Sequence, residues 1–282
     1  MSGTLVQIKT KTFGIKNKIK ELVINFWTQT KYIVHFYLDS AEATGFTNIL
    51  SMGGTVLYTV AILYLWHIKG SSSTTSTYLL VGRLYKALSD NLFYGILANQ
   101  IITGKLTDVL LRPINVTRYY FLATLGKRIF RNFIELIGFG VAILICISFT
   151  QVNFIWQNIW LLILFIPISY WINHFSGVLI GSLAFFIYNK TDYPGLESFY
   201  ANIRIICSGL LIPLNLLPFS GIFVSTPFAF TLHHPTEMYL GNYSPIEVFY
   251  TFVSGLAWCV VLFYTSTFVF KKGLKRNEAV GL

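Results

Sequence analysis

Apolar runs long enough to cross a membrane alternate with short polar loops along most of this chain. The first clear run extends from about Phe46 to His67, and a loop rich in Ser and Thr, Lys69 to Thr77, follows it. The second, about Tyr78 to Ile101, is poorer in hydrophobicity because Arg83, Lys86 and Asp90 lie inside it. The third, about Asn132 to Thr150, is led in by a basic amphipathic helix, Arg118 to Arg131. The fourth, about Ile159 to Tyr188, is long and contains Pro167; the fifth covers about Phe199 to Phe219 and the sixth about Pro245 to Phe270. A helix needs about 20 apolar residues to cross the hydrocarbon core, so each run reads as a span.

Three segments do not fit that template. From about residue 19 to Glu42 the chain is amphipathic and aromatic, interrupted by Lys31, His35 and Asp39, which suits a helix lying in the interface. Thr103 to Pro113 is too short and polar to cross. Gly221 to Leu232 is apolar but short, broken by Pro227 and closed by His233-His234-Pro235; it reads as a re-entrant or interfacial hairpin whose irregular backbone must be shielded by protein. The expected architecture is all-α and polytopic. Residues 1–45 form a tail and interfacial helix, 46–270 a six-span domain with an outer re-entrant segment at about 221–243, and 271–282 a second tail.

Composition agrees with this reading. Hydrophobic residues make up 54% of the 282, charged residues 11%, and mean hydropathy is +0.62. A soluble domain is closer to a quarter charged. The net charge of +10 comes from basic residues beside apolar runs, without a nucleic-acid-binding motif, so the expected partner is a bilayer and not nucleic acid. The Lys-rich start has no apolar stretch before a small-residue cleavage site, so it does not read as a cleavable signal.

Charge also sets the orientation. With the N-terminus inside, lysines 9, 11, 16, 18, 20 and 31 are cytoplasmic, as are Lys105, Arg112, Arg118, Lys127, Arg128 and Arg131. Lys190, Arg204, Lys271, Lys272, Lys275 and Arg276 fall on or near that side, which makes 18 of the 21 basic residues, and Lys69 alone lies in an outer loop. The positive-inside bias thus places both termini in the cytoplasm, with the chain in the cytoplasmic membrane.

The chemistry in the sequence is sparse. Gly104-Lys105 and Gly126-Lys127 are followed by Leu106 and Arg128 instead of Ser or Thr, so neither is a phosphate-binding loop. No ATP hydrolysis, catalytic residue, metal site or bound cofactor is expected in this chain. Cys146, Cys207 and Cys259 sit singly in apolar runs and read as core residues. His233-His234 is a poor chelating pair, because adjacent residues rarely bind one ion together. His174 in the fourth span suits helix–helix hydrogen bonding, and Gly177 and Gly181 form a GxxxG packing motif. Arg131 and Glu135 read as a snorkelling pair near the interface.

Arg83, Lys86 and Asp90 fall at i, i+3 and i+7 and would share a helix face. Charge inside a membrane is costly and faces a partner, a cavity or water. Two readings stay open: a polar stripe along a translocation route, and a Lys86–Asp90 pair that seals packing.

Gly104-Lys105-Leu106-Thr107-Asp108-Val109-Leu110-Leu111-Arg112-Pro113-Ile114 resembles the GxLxxLLLRPI-like signature of six-span permeases of the ABC-2 transporter group. Ser208-Gly209-Leu210-Leu211-Ile212-Pro213-Leu214, with Leu217-Pro218 and Thr226-Pro227-Phe228-Ala229, is similar to a second block of that family. The tail Lys272-Gly273-Leu274-Lys275-Arg276-Asn277-Glu278-Ala279-Val280-Gly281 is similar to its closing block.

The resemblance implies an exporter half that borrows its energy. The segment from about Asn99 to Arg112 would be a coupling helix that docks on a cytoplasmic ATP-binding subunit, with Gly104, Lys105, Leu106, Asp108, Val109, Leu110, Arg112 and Pro113 as its coupling residues. Few of these are charged, so the contact would be mainly apolar, through Leu106, Val109 and Leu110. Two permease chains, identical or homologous, would pair with two ATPase chains, and the partner would bind ATP and Mg. Spans two and five would line the route, which nominates Arg83, Lys86, Asp90, Asn91, Pro213 and Asn215. Alternating access would move hydrophobic or amphipathic cargo such as drugs, lipids or peptides. The alternatives are a secondary transporter or channel built on the Arg83/Lys86/Asp90 face, and a lipid-modifying enzyme, for which Asp192 and Glu197 are too sparse.

Overall fold

The computed structural model describes residues 45–70, 72–90, 94–111, 116–187 and 190–279, together with Trp27 and Lys31. The expected interfacial helix before residue 45 otherwise lies outside the described residues. Among the described residues ten α-helices carry the fold: α1 (Gly45–Ile68), α2 (Ser73–Ser89), α3 (Tyr94–Ile102), α4 (Leu106–Leu110), α5 (Val116–Cys146), α6 (Ile159–Ser182), α7 (Tyr193–Ser208), α8 (Ser220–Val224), α9 (His233–Tyr239) and α10 (Pro245–Ala279). Short 3-10 turns join them, and there is no strand among the described residues.

The arrangement of polarity is that of a protein whose solvent is lipid. Large apolar side chains on α1, α5 and α10 face outward, among them Leu57, Leu144, Tyr264 and Phe268, while Ser169, Asn173, Ser176, Ser182 and Thr236 are buried. In water, exposed apolar surface on that scale would drive aggregation. In hydrocarbon, polar groups instead gather inside and bridge helices. Two stretches, Trp156–Phe185 and Pro245–Arg276, are helical, long and apolar enough to cross a membrane, and Met52–Ile68 and Asn132–Cys146 are shorter apolar helical segments.

Two expected spans differ from their sequence reading. The second is not one helix: α2 ends at Ser89, the backbone at Asp90 is extended, and α3 begins at Tyr94. The fifth ends early. α7 has 16 residues, about 24 Å of helix, less than the roughly 30 Å hydrocarbon core. It stops because Gly209 takes the left-handed conformation, with φ 78°, and its N–H returns to the Ile205 and Ile206 carbonyls. Conversely, the basic helix at Arg118 and the third span are one 31-residue helix, α5. Glu135 on it is buried, so its side chain does not snorkel to the interface.

Beyond Gly209 the chain folds back as a turn at Leu214–Leu216, α8, a turn at Pro227–Thr231 and α9. The packing there is close. A Cβ on Gly209 would lie 2.5 Å from the Tyr78 hydroxyl, and one on Gly82 of α2 would lie 2.9 Å from Leu232 Cδ2. A non-glycine residue in the left-handed region costs about 1–3 kcal/mol before any clash. Gly209→Ala is therefore expected to lower the unfolding midpoint of the purified protein, and an unchanged midpoint would show that the turn at Gly209 is not held as described.

The three larger of the four apolar clusters among the described residues organise the interior. Tyr78, Leu79, Leu80 and Leu232 meet Leu63 and Phe139 between α1, α2, α5 and the chain just before α9. Phe165, Ile168 and Ile172 of α6 meet Cys259 and Leu262 of α10. Leu97 of α3, Leu106 and Val109 of α4, Tyr119 and Tyr120 of α5, Val178 of α6 and Phe270 of α10 close the end that carries α4. Cys146 and Cys259 are core residues, as expected. Gly177 and Gly181 are buried on α6, and the His174 ring packs edge-on against Phe121 at 5.3 Å.

Candidate functional site

The end of α2 is the chemically richest place in the bundle. Ser, Asp and Asn side chains compete with helical backbone bonding, and Ser89-Asp90-Asn91 puts three in a row. The helix stops there, with Asp90 at φ −71° and ψ 144°. A helix end leaves its last carbonyls without partners, and hydrocarbon supplies no water to satisfy them. Side chains from other helices do so instead. Asn173 Nδ2 on α6 donates to the Ser89 carbonyl at 3.0 Å, and Asn132 Nδ2 on α5 donates to the Leu88 carbonyl at 3.4 Å. The Ser89 hydroxyl donates to the Thr231 carbonyl at 3.4 Å.

Asp90 itself meets Arg204 of α7. Arg204 Nη1 donates to Asp90 Oδ1 at 2.5 Å and Nη2 to Oδ2 at 3.3 Å, while Nη1 also approaches Asn173 Oδ1 at 3.5 Å. This is the two-pronged guanidinium–carboxylate geometry, which fixes orientation as well as charge. Both residues are buried, 7% and 6% exposed. Neutral hydrogen bonds flank the pair. Tyr200 of α7 donates to the Ser176 hydroxyl at 2.8 Å, Tyr85 of α2 lies 2.6 Å from Ser169, and Ser169 donates to the Phe230 carbonyl at 2.6 Å. One polar layer thus ties α2, α6, α7 and the turn at Pro227–Thr231 together.

The residues nominated as a route face are dispersed. The i, i+3, i+7 argument assumes an unbroken helix, and α2 ends one residue before Asp90. Arg83 instead places its guanidinium over the Tyr58 ring of α1, 3.7 Å from the centroid, a cation–π contact. Lys86 is half-buried, and Asn91 lies outside the described residues. The Asp90 carboxylate is held by Arg204 across the bundle. Pro213 and Asn215 sit toward the far end, near Thr74 and Thr75 at the start of α2. Arg204 was counted only as a near-cytoplasmic charge. The available signal was the one acid of span two, Asp90, and the one charged residue of span five, Arg204, since each needs a partner in hydrocarbon.

The second functional element is α4. Gly104 precedes it with φ 75°, a conformation that favours glycine. Leu106 and Val109, three apart and so on one face, are 3% and 5% exposed and pack into the cluster around Tyr119 and Tyr120. Leu110 and Leu111 are 42% and 80% exposed, and Lys105 and Asp108 are exposed beside them. The apolar contact surface expected of Leu106, Val109 and Leu110 is therefore corrected: the first two hold the helix to the bundle, and Leu110 with Leu111 is what a partner could reach. Arg112 and Pro113 lie outside the described residues.

A family model described as ABC-2 family transporter protein matches residues 44–281, from the start of α1 to the end of the chain's closing block. The chain belongs to the ABC-2 transporter family. No curated protein matches the chain. As an ABC-2 permease it is a membrane component of a transporter, and members of this family generally work with a cytoplasmic ATP-binding subunit. All three sequence blocks that suggested the family lie inside the matched range.

Proposed function

We propose that this permease is the six-span membrane half of an ATP-driven exporter, moving a hydrophobic or amphipathic compound out across the cytoplasmic membrane. A separate ATP-binding subunit binds ATP and Mg and docks on α4; this chain hydrolyses nothing. The observation that carries the reading is α4 itself. It is a short helix anchored by Leu106 and Val109 that offers Leu110 and Leu111 outward. Its anchoring cluster includes residues of α3, α5, α6 and α10, so a displacement of α4 reaches four other helices at once. Tightly packed cores transmit strain instead of absorbing it, which suits alternating access.

Pairing with a second permease chain is supported by apolar side chains exposed on α7 and just beyond it, Phe199, Ile206 and Phe219. The secondary-transporter reading loses support. An acid that couples an ion must exchange that ion, and Asp90 is bound on both oxygens by one guanidinium.

The test is purification of the tagged chain from its native membrane. An ATP-binding subunit is expected to accompany it in equal amount, and ATPase activity is expected to follow that subunit and to be missing from the chain stripped of it. Vesicles that transport without any ATP-binding subunit would overturn the proposal and favour an ion-driven carrier.

A further inference from the structure

Glu237 on α9 is an acid that neither the helix termini nor the charge layer uses. It is 3% exposed. Its Oε1 accepts from Asn215 Nδ2 at 3.0 Å and its Oε2 from Asn242 Nδ2 at 2.5 Å. Both donors are neutral, and among the described residues no Lys, Arg or His stands within ion-pair distance of it. The two neighbouring histidines are engaged elsewhere: His233 Nδ1 lies 3.0 Å from the Tyr78 hydroxyl, and His234 bonds the Tyr243 hydroxyl and the Val224 carbonyl. Burial pushes the Glu237 carboxyl above its ordinary range, with the Asn242 bond pulling it partly back.

Beside this acid is a cavity of about 160 Å³, lined by Thr74, Thr75, Asn215, Glu237 and Asn242 among others. It opens at the start of α2, away from α4. An ionised carboxylate only accepts, so both amide NH2 groups face Glu237 and both amide oxygens face away from it. Neither oxygen makes a hydrogen bond among the described residues. The lining therefore combines one uncompensated negative charge with further oxygen acceptors.

We propose that this cavity binds a primary ammonium group. Three N–H donors on one cation match a carboxylate flanked by amide oxygens. A divalent metal fits worse, since calcium takes six to eight oxygens and magnesium six, usually with more than one acid. A quaternary ammonium has no N–H to give and is normally held by an aromatic cage, whereas Tyr78 is the one aromatic residue in this lining. A liquid water occupies about 30 Å³, so a space of about 160 Å³ admits an ammonium head with a short stem. The ammonium can come from a free amine or from an aminophospholipid head group. The site does not depend on the transport direction or on the ATPase.

The experiment measures thermal unfolding of the full-length chain in detergent, with any accompanying subunit, against methylammonium chloride. Tetramethylammonium chloride at equal ionic strength is the control. Methylammonium is expected to raise the midpoint saturably by about 2–4 °C, the shift that binding-linked stabilisation gives a protein of this size. Tetramethylammonium is not, and Glu237→Gln, which keeps shape and removes charge, is expected to abolish the response. Leu216→Trp fills the cavity mouth while leaving the acid in place and is expected to abolish it too; it decides the matter if the first variant does not fold. A Glu237-dependent rise in nanodiscs of phosphatidylethanolamine over phosphatidylcholine assigns the ammonium to a lipid head group, and no such rise assigns it to a free amine. No saturable shift with methylammonium, or an equal shift in Leu216→Trp, overturns the proposal.

Discussion

Arg204→Met is expected to cost the folded protein about 3–5 kcal/mol, the usual cost of removing one member of a buried ion pair, here one bonded through both carboxylate oxygens of Asp90. Asp90→Asn removes the other member's charge and is expected to cost a similar amount. The readout is the unfolding midpoint and yield of the purified chain. The double variant Asp90→Leu with Arg204→Leu separates stability from function. Removing both members of a buried pair together is often neutral, so this variant is expected to fold near the wild-type midpoint. If it folds and transports normally, the pair serves only packing. If it folds and transport is lost, the pair is part of the moving machinery, as its position at the break in span two suggests. Single variants that cost less than about 1 kcal/mol would mean the pair is solvated, the behaviour of surface ion pairs.

The second large effect is expected at α4. Leu110→Glu places a charge on the outward face of a helix whose inward face stays anchored by Leu106 and Val109. Membrane insertion and the unfolding midpoint should be unchanged, while transport falls at least about fivefold, the loss expected when one buried apolar contact of an interface, worth more than about 1 kcal/mol, is removed. Val109→Glu is the contrasting variant: its charge enters the cluster around Tyr119 and Tyr120, so the chain itself should be destabilised. Leu110→Glu with its ATP-binding subunit still attached and transport intact would show that the partner docks elsewhere.

Much of this was legible in the residues. Long apolar runs with few charges have one physical home, so the membrane class needs no tertiary information. That the stretch at Thr103–Pro113 does not span was also legible, because a polar segment too short to cross lies at a surface. What was not visible is where helices end. Hydropathy reports the partitioning of side chains, and it is nearly blind to one or two residues of broken backbone. The break at Asp90 is stabilised by Asn132 and Asn173, which are 42 and 83 residues further along the chain. Nothing local in Ser89-Asp90-Asn91 says that those amides will be there.

The same limit explains the route residues. Spacing placed Arg83, Lys86 and Asp90 on one stripe, and for a continuous helix that geometry holds. Once the helix stops at Ser89, Asp90 turns to Arg204 while Arg83 turns to Tyr58 on α1. Glu237 was passed over because an isolated acid near a loop is ordinarily solvated; its burial depends on α9 folding back against α2.

By itself, then, the sequence determined the solvent of this protein and its family, because those follow from local hydrophobicity and from contiguous motifs. The tertiary structure alone decided which charge meets which, because in a low-dielectric interior a buried charge is stable only beside a partner, and that partner is chosen by distance in space and not along the chain.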